Sequence, residues 1–161
     1  MLFLCTGNSA RSVMAEAALG HWGAGRFRAY SAGSHPTGRI HPLTLDLLAR
    51  RGLPTQGYRS KSWDEFAAPG APELDAIVTV CDSAAGEVCP IWPGRPASAH
   101  WGFPDPAAVT GSDDECRRAF DRVFAMIEPP VRALAALPIE SMDAAEFAAA
   151  LVRLAPEQFY G

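Results

Sequence analysis

The sequence predicts an α/β fold: a single domain built on a four-stranded parallel sheet flanked by helices. Short apolar runs alternate with amphipathic helical stretches, the pattern of a parallel sheet covered by its crossover helices. The chain has 161 residues, 48% hydrophobic and 20% charged, enough for one core without disulfide or metal staples and too little for two, so residues 1–161 are taken as one unit. Its net charge of −4, with no Lys/Arg cluster, argues against nucleic acid and acidic membrane surfaces as partners. Apolar runs are too short to span a bilayer and the start carries no signal-peptide pattern, so a cytoplasmic, reducing location and a monomer are expected.

Leu2-Phe3-Leu4 reads as a buried first strand, and Ser12 to Leu19 as the helix that follows it. Phe27 to Ser31 reads as the second strand, closed by Ala32-Gly33. His41-Pro42 opens a helix with proline in its first turn, Leu43 and Leu47 sharing one face and Thr44 and Leu48 another. Arg50-Arg51-Gly52 ends that helix with cations and a glycine. Leu74 to Val80 is the clearest strand, β-branched and nearly all apolar, and Ala97 to Trp101 is a weaker fourth. Ser112-Asp113-Asp114-Glu115 caps a long amphipathic helix carrying Phe120, Val123, Phe124 and Ile127, which Pro129-Pro130 should break or kink before Val131. Ser141-Met142-Asp143 opens a last helix presenting Phe147, Leu151 and Leu154.

The chemistry concentrates in Cys5-Thr6-Gly7-Asn8-Ser9-Ala10-Arg11-Ser12. A loop that opens a helix aims backbone N–H groups and the positive end of the helix dipole at its mouth, which makes an anion site. Arg11 adds a planar fork of donors suited to tetrahedral oxyanions. The same surroundings favour Cys5 as a thiolate, the attacking form. Thr6, Gly7, Asn8, Ser9, Ala10 and Arg11 are therefore the oxyanion-binding candidates. The plainer alternative is a small core cysteine at a strand end.

Parallel strands gather ligands at their carboxyl ends, and Cys5, Cys81 and Asp105 each follow a predicted strand on that edge. Asp105, between Pro104 and Pro106, is either a general acid held over the oxyanion or an ordinary Asp-Pro turn. Cys81 and Cys89 are either a buried pair or a relay that takes up oxidation from Cys5. If the residues between them were helical, their Cα atoms would be about 12 Å apart, beyond the roughly 7 Å that a disulfide tolerates; the segment would have to unwind, and Gly86 eases that. Cys116, one turn before Phe120, reads as core. The cysteines show no Cys-x2-Cys spacing and His21, His35, His41 and His100 are scattered, so no metal is expected.

These segments resemble the arsenate reductases built on the low-molecular-weight tyrosine phosphatase fold. The Cys-x5-Arg-Ser loop marks the fold. Thr-Gly-Asn-Ser within it, Val80-Cys81-Asp82, Cys89-Pro90 and His100-Trp101-Gly102-Phe103-Pro104-Asp105-Pro106-Ala107 point to arsenate reduction. The resemblance implies that Cys5 attacks arsenate, Arg11 clamps its oxygens, Ser12 supports the thiolate and Asp105 protonates the departing hydroxyl. It further implies that Cys81 and then Cys89 carry the oxidation away as disulfides, with phosphate and sulfate as substrate mimics. No bound cofactor is implied, only an external thiol reductant.

The sequence departs from that pattern in three ways. Seven residues separate Cys81 from Cys89, one more than in thioredoxin-linked members, which leaves thioredoxin and glutaredoxin with glutathione both open. A potassium site that some members build beside the loop is matched by Asn8, Glu16 and Ser31, but Lys61 stands where an acidic residue is expected, so its ammonium is expected to replace the cation. The third is Pro129-Pro130 in a helix expected to be continuous. Two rivals remain: a tyrosine phosphatase of the same fold, which typically carries tyrosines where Ala107-Ala108 stand, and a non-catalytic oxyanion-binding or redox-sensing module, which would need no Asp105.

Overall fold

The structure is a computed structural model and describes residues 1–86 and 92–157. Four short strands, β1 (Leu2–Cys5), β2 (Tyr30–Gly33), β3 (Ala76–Thr79) and β4 (Ala97–His100), form one parallel sheet in the order β2-β1-β3-β4. The chain runs outward from β1 to β2, then crosses back to lay β3 on the other side of β1. The switch lies beside β1, where such sheets open a crevice at their carboxyl ends.

Side chains alternate across the sheet. Phe3 and Cys5 face one way with Ala76, Val78 and Val80; Leu2, Leu4, Ala32 and Ile77 face the other. The first face carries the larger core, contributed by α1 (Arg11–Trp22), α2 (Pro42–Arg50), α4 (Asp113–Ala135) and α5 (Ala144–Arg153). The second is covered by a 3₁₀ turn, Trp63–Phe66, with Tyr30 and Trp92 packed against it. A single short turn, α3 (Asp82–Ala85), follows β3. Among the described residues no helix is long and apolar enough to cross a membrane.

Local chemistry explains the helix ends. His41 caps α2 with its imidazole Nδ1, which accepts from the Leu43 N–H at 3.1 Å. At the other end Gly52, at φ 70°, donates to Ala49 O while Leu53 donates to Leu48 O, the paired closure that a left-handed glycine permits. Ser112 caps α4, and Asp143 with Glu146 forms a reciprocal capping box on α5. The Trp101 indole ties α5 to the sheet through Leu151 O at 2.9 Å.

Several expectations need correction. β2 is Tyr30–Gly33 rather than 27–31, because its register against β1 (Leu2↔Tyr30 through Cys5↔Gly33) draws it level with the carboxyl end of β1. β3 and β4 are trimmed to the length their neighbours can pair, although Leu74, Val80 and Trp101 stay buried. The proline pair does not break α4, which runs through both rings. Each interior proline costs about 3 kcal/mol, but Phe124, Ile127, Pro130, Val131 and Leu134 are buried together, and burial of side chains of this size is worth about 1.5–3 kcal/mol apiece. Cys116 is not core: it lies half-buried in the first turn of α4, where its Sγ donates to Val109 O at 3.4 Å, because the apolar stripe begins only at Ala119.

Pro129 is exposed in the middle of that helix. Pro129→Ala should therefore stabilise the protein by about 2 kcal/mol, the restored helical bond being offset in part by a freer unfolded chain. Urea denaturation checks it, and an unchanged midpoint would contradict the energetic account of α4.

Candidate active site

β1 delivers Cys5 to the carboxyl edge of the sheet, and α1 begins six residues later at Arg11. The cap residue of α1 is Ala10, which has no side chain to satisfy the first-turn N–H groups. The intervening carbonyls are turned outward and held there by the segment from Ser34 to Ser60. Cys5 O accepts from Ser34 N at 3.3 Å, Thr6 O from His35 N at 2.9 Å and Gly7 O from Thr37 N at 3.0 Å and Ser60 Oγ at 3.1 Å. Ser9 O accepts from both His41 N at 3.0 Å and Thr44 Oγ1 at 2.8 Å. A trans peptide points its N–H opposite its C=O, so the N–H groups of Gly7, Asn8 and Ala10 face the inside of the loop. Asn8 N–H points at the Cys5 sulfur, 3.2 Å away.

One polar chain holds this geometry from within. Asn8 is fully buried at φ 48°, a left-handed conformation that asparagine tolerates better than most residues. Its Nδ2 donates to Ser12 Oγ at 2.9 Å and Ser31 Oγ at 3.0 Å, and its Oδ1 accepts from the Lys61 backbone N–H at 2.9 Å. Because Lys61 N–H can only donate, the amide orientation is determined. Ser12, accepting from Asn8, has its own proton for Cys5 Sγ at 2.8 Å. Ser31 donates in turn to Glu16 Oε1 at 2.5 Å. Burial pushes the Glu16 carboxyl above its ordinary range, opposed by the Ser31 hydrogen bond and by the Lys61 charge.

Lys61 thus reaches the network by its backbone. Its half-buried ammonium donates to Arg59 O at 2.8 Å, and burial lowers its pKa against the attraction of Glu16. Asn8, Glu16, Ser31 and Lys61 are brought together as expected, though the lysine contributes a peptide N–H where a direct ammonium contact was anticipated.

Arg11 leans across the mouth of the loop, donating from Nη1 to Phe103 O at 3.0 Å and standing 3.8 Å from Asp105 Oδ2. Asp105 is half-exposed and its other oxygen accepts from Ala107 N at 3.0 Å, capping the 3₁₀ turn Pro106–Ala108. The Asp-Pro turn and the position beside Arg11 therefore coexist. Cys81 is buried, its Sγ 3.7 Å from Thr6 Oγ1 and 3.4 Å from Ala84 N. Cys89 lies outside the described residues. Among those described, no group of three or more His, Cys, Asp or Glu side chains could hold a metal ion.

Two further residues shape the loop without bearing any chemistry of their own. Gly33 closes β2 where a Cβ would run into the Thr6 carbonyl oxygen and come within 3.0 Å of Asn8 N; its signal was a glycine at the end of a strand, which marks close backbone approach. His41 holds Ser9 O, its ring lies 4.9 Å from that of Phe120, and burial lowers its pKa against the pull of Asp105. Its only sequence signal was its place before Pro42.

Residues 1–146 match the family model described as low molecular weight phosphotyrosine protein phosphatase. A protein of Halalkalibacterium halodurans named arsenate reductase is 38% identical over 125 residues, covering 75% of this chain and 84% of that protein. The crystal structure of arsenate reductase from Archaeoglobus fulgidus superposes with a TM-score of 0.66 at 32% identity, covering 84% of this chain and 98% of that one. The thioredoxin-dependent arsenate reductase of Corynebacterium glutamicum gives a TM-score of 0.61 at 28% identity, over 83% of this chain and 58% of that one.

Asn8→Ala removes two donors, orphans the Lys61 N–H and places alanine at a left-handed φ, so it should destabilise the fold by about 3 kcal/mol in urea denaturation. A carboxyl whose folded pKa is raised favours folding while protonated, and that contribution is lost as pH rises through the folded value. Lys61→Met removes an opposing charge and raises the folded value further. The stability lost as pH rises above the ordinary glutamate range should then be larger in Lys61→Met than in the wild type, and Glu16→Gln should abolish the difference. Equal pH slopes would show that the ammonium does not act on Glu16.

Proposed function

Since the chain belongs to the low molecular weight phosphotyrosine protein phosphatase family, we propose that it is an arsenate reductase that uses Cys5 as nucleophile and Cys81 and Cys89 as an internal disulfide relay. One observation carries the choice over phosphate-ester hydrolysis: a second buried sulfur, Cys81, approaches the anion loop to 3.7 Å at Thr6 Oγ1. A hydrolase returns its cysteine to the thiolate with water and has no use for that sulfur. The alanines at 107 and 108, where an aromatic substrate would need flanking rings, favour the same reading.

In this mechanism the inward N–H groups of the loop and the Arg11 guanidinium bind the arsenate oxygens. The Cys5 thiolate forms a bond to arsenic(V) as an As–O bond breaks, and Asp105 supplies the proton that lets the oxygen leave as water. Cys81 then attacks Cys5 Sγ as a thiolate. The As–S electron pair stays on arsenic, which departs as arsenite, and a Cys5–Cys81 disulfide remains. Cys89 attacks Cys81, freeing Cys5 and leaving Cys81–Cys89 for an external dithiol. Two electrons thus pass from the cysteine pair to arsenic in each cycle. The reductant is thioredoxin or glutaredoxin with glutathione, in a cytoplasm that keeps the three thiols reduced.

The deciding experiment follows NADPH oxidation with arsenate, in parallel with thioredoxin and its reductase and with glutaredoxin, glutathione and its reductase. Turnover in either arm supports the reading; hydrolysis of p-nitrophenyl phosphate without arsenate turnover in either would replace it with the phosphatase. Cys5→Ser should abolish turnover, and Asp105→Asn should lower kcat by about 10²–10⁴-fold. Cys81→Ser and Cys89→Ser should not cycle, and full multiple turnover by Cys89→Ser would remove the internal relay. Cys116→Ser should retain wild-type kcat.

A further inference from the structure

Beside the relay cysteine lies a three-residue cluster with no part in the chemistry above. Thr79, the last residue of β3, is in register with His100, the last of β4. Thr79 Oγ1 and His100 Nδ1 are 2.8 Å apart, and His100 Nε2 lies 2.8 Å from Oδ1 of Asp82, the first residue of α3 and the neighbour of Cys81. A carboxylate only accepts, so Nε2 donates to Asp82, and Nδ1 is left to pair with the Thr79 hydroxyl. The ring is thereby fixed at both ends.

We infer that His100 is a positioning residue: it clamps Asp82 to the end of the sheet, keeps α3 wound, and so holds the Cys81 sulfur in its resting place against Thr6. The inference rests on the relay proposed above, in which Cys81 must exchange partners.

The four residues of α3 are far below what sustains an isolated helix, so its persistence depends on tertiary ties. Two are described, the buried Ala84 and the clamp on Asp82, beside the local bonds from Ala84 N–H to Cys81 Sγ at 3.4 Å and from Gly86 N to Asp82 O at 3.2 Å. The burial of Ala84 is apolar and undirected. Among the described residues the clamp is the polar side-chain contact that joins α3 to another strand, and Thr79 holds the ring so that reaching Asp82 costs little further ordering. The Asp82 side chain is 85% exposed, so the clamp is a modest bias, suited to a segment that must open in every cycle. Releasing it should raise the frequency of α3 opening about two- to fivefold, the range of exposed charge-assisted pairs.

Hydrogen exchange of the Ala84 and Gly86 amides, followed by NMR on the reduced protein, tests the clamp without arsenate. His100→Leu and Asp82→Ala should each speed exchange about two- to fivefold, and the double variant should be no faster than either single one, because both break the same contact. His100→Gln, whose amide can still donate to Asp82, should restore slow exchange. The Trp101 amide, bonded to Thr79 O within the sheet, should not change. Exchange unaltered in both single variants, additive effects in the double one, or no restoration by glutamine would each overturn the inference. Absence of arsenate turnover in the wild type would overturn the relay and leave the exchange result standing, so the two failures are distinguishable.

Discussion

The buried amide of Asn8 is the contact on which the rest of the site depends, because every hydrogen-bonding group it has is committed to a different part of the chain. One N–H goes to the start of α1 through Ser12, the other to β2 through Ser31, and the carbonyl takes the backbone of Lys61. A residue at φ 48° in a fully buried loop is unfavourable unless its surroundings over-determine it. Those three bonds do so. They fix the turn that swings the Asn8 N–H onto the Cys5 sulfur and that leaves the Ser12 proton directed at the same atom.

The loop is gripped from outside as tightly as from within. Each carbonyl between Cys5 and Ser9 that is turned outward meets a donor from the segment running between β2 and the 3₁₀ turn at Trp63. Anion affinity in such a loop comes from N–H groups already aligned before the ligand arrives, since little reorganisation is then needed. Gly33 makes the grip possible, because only a residue without a Cβ lets β2 pass so close to Thr6 and Asn8. The sheet register that brings Gly33 level with Cys5 therefore shapes the Cys5–Arg11 loop as well as the core.

The proposed division of labour between sulfurs follows from where each one sits. Cys5 lies beneath converging donors at the floor of the loop, whereas Cys81 caps a helix of four residues at the next strand end. The first is ringed by hydrogen bonds from Asn8 and Ser12, whereas among the described residues the second sulfur meets Thr6 and the Ala84 N–H. A nucleophile that must bind an anion in one geometry gains from rigidity; a cysteine that must exchange partners gains from a support that can unwind. Arg11 reaches from the loop to the Phe103 carbonyl and lies near Asp105 across its mouth.

How much of this was legible in the chain depended on the range of the interaction. The loop Cys5 to Ser12, the caps at His41, Ser112 and Asp143, the closure at Gly52 and the alternation of strands with helices were all readable, because each is decided by spacing within a few residues. Where local signals met a longer-range demand they misled. The second strand shifted to match β1, α4 continued through Pro129 and Pro130 under the pull of its buried stripe, and Cys116 stayed near the surface because the stripe had not yet reached the sheet. Only the tertiary structure decided that Gly33 must be a glycine, that Lys61 offers its peptide N–H to Asn8, and that Cys81 rests against Thr6, 75 residues away. The sequence by itself determined which groups could do the chemistry. Their convergence was left to strand order and register, since a parallel sheet brings distant residues to one edge by hydrogen bonds that no local pattern encodes.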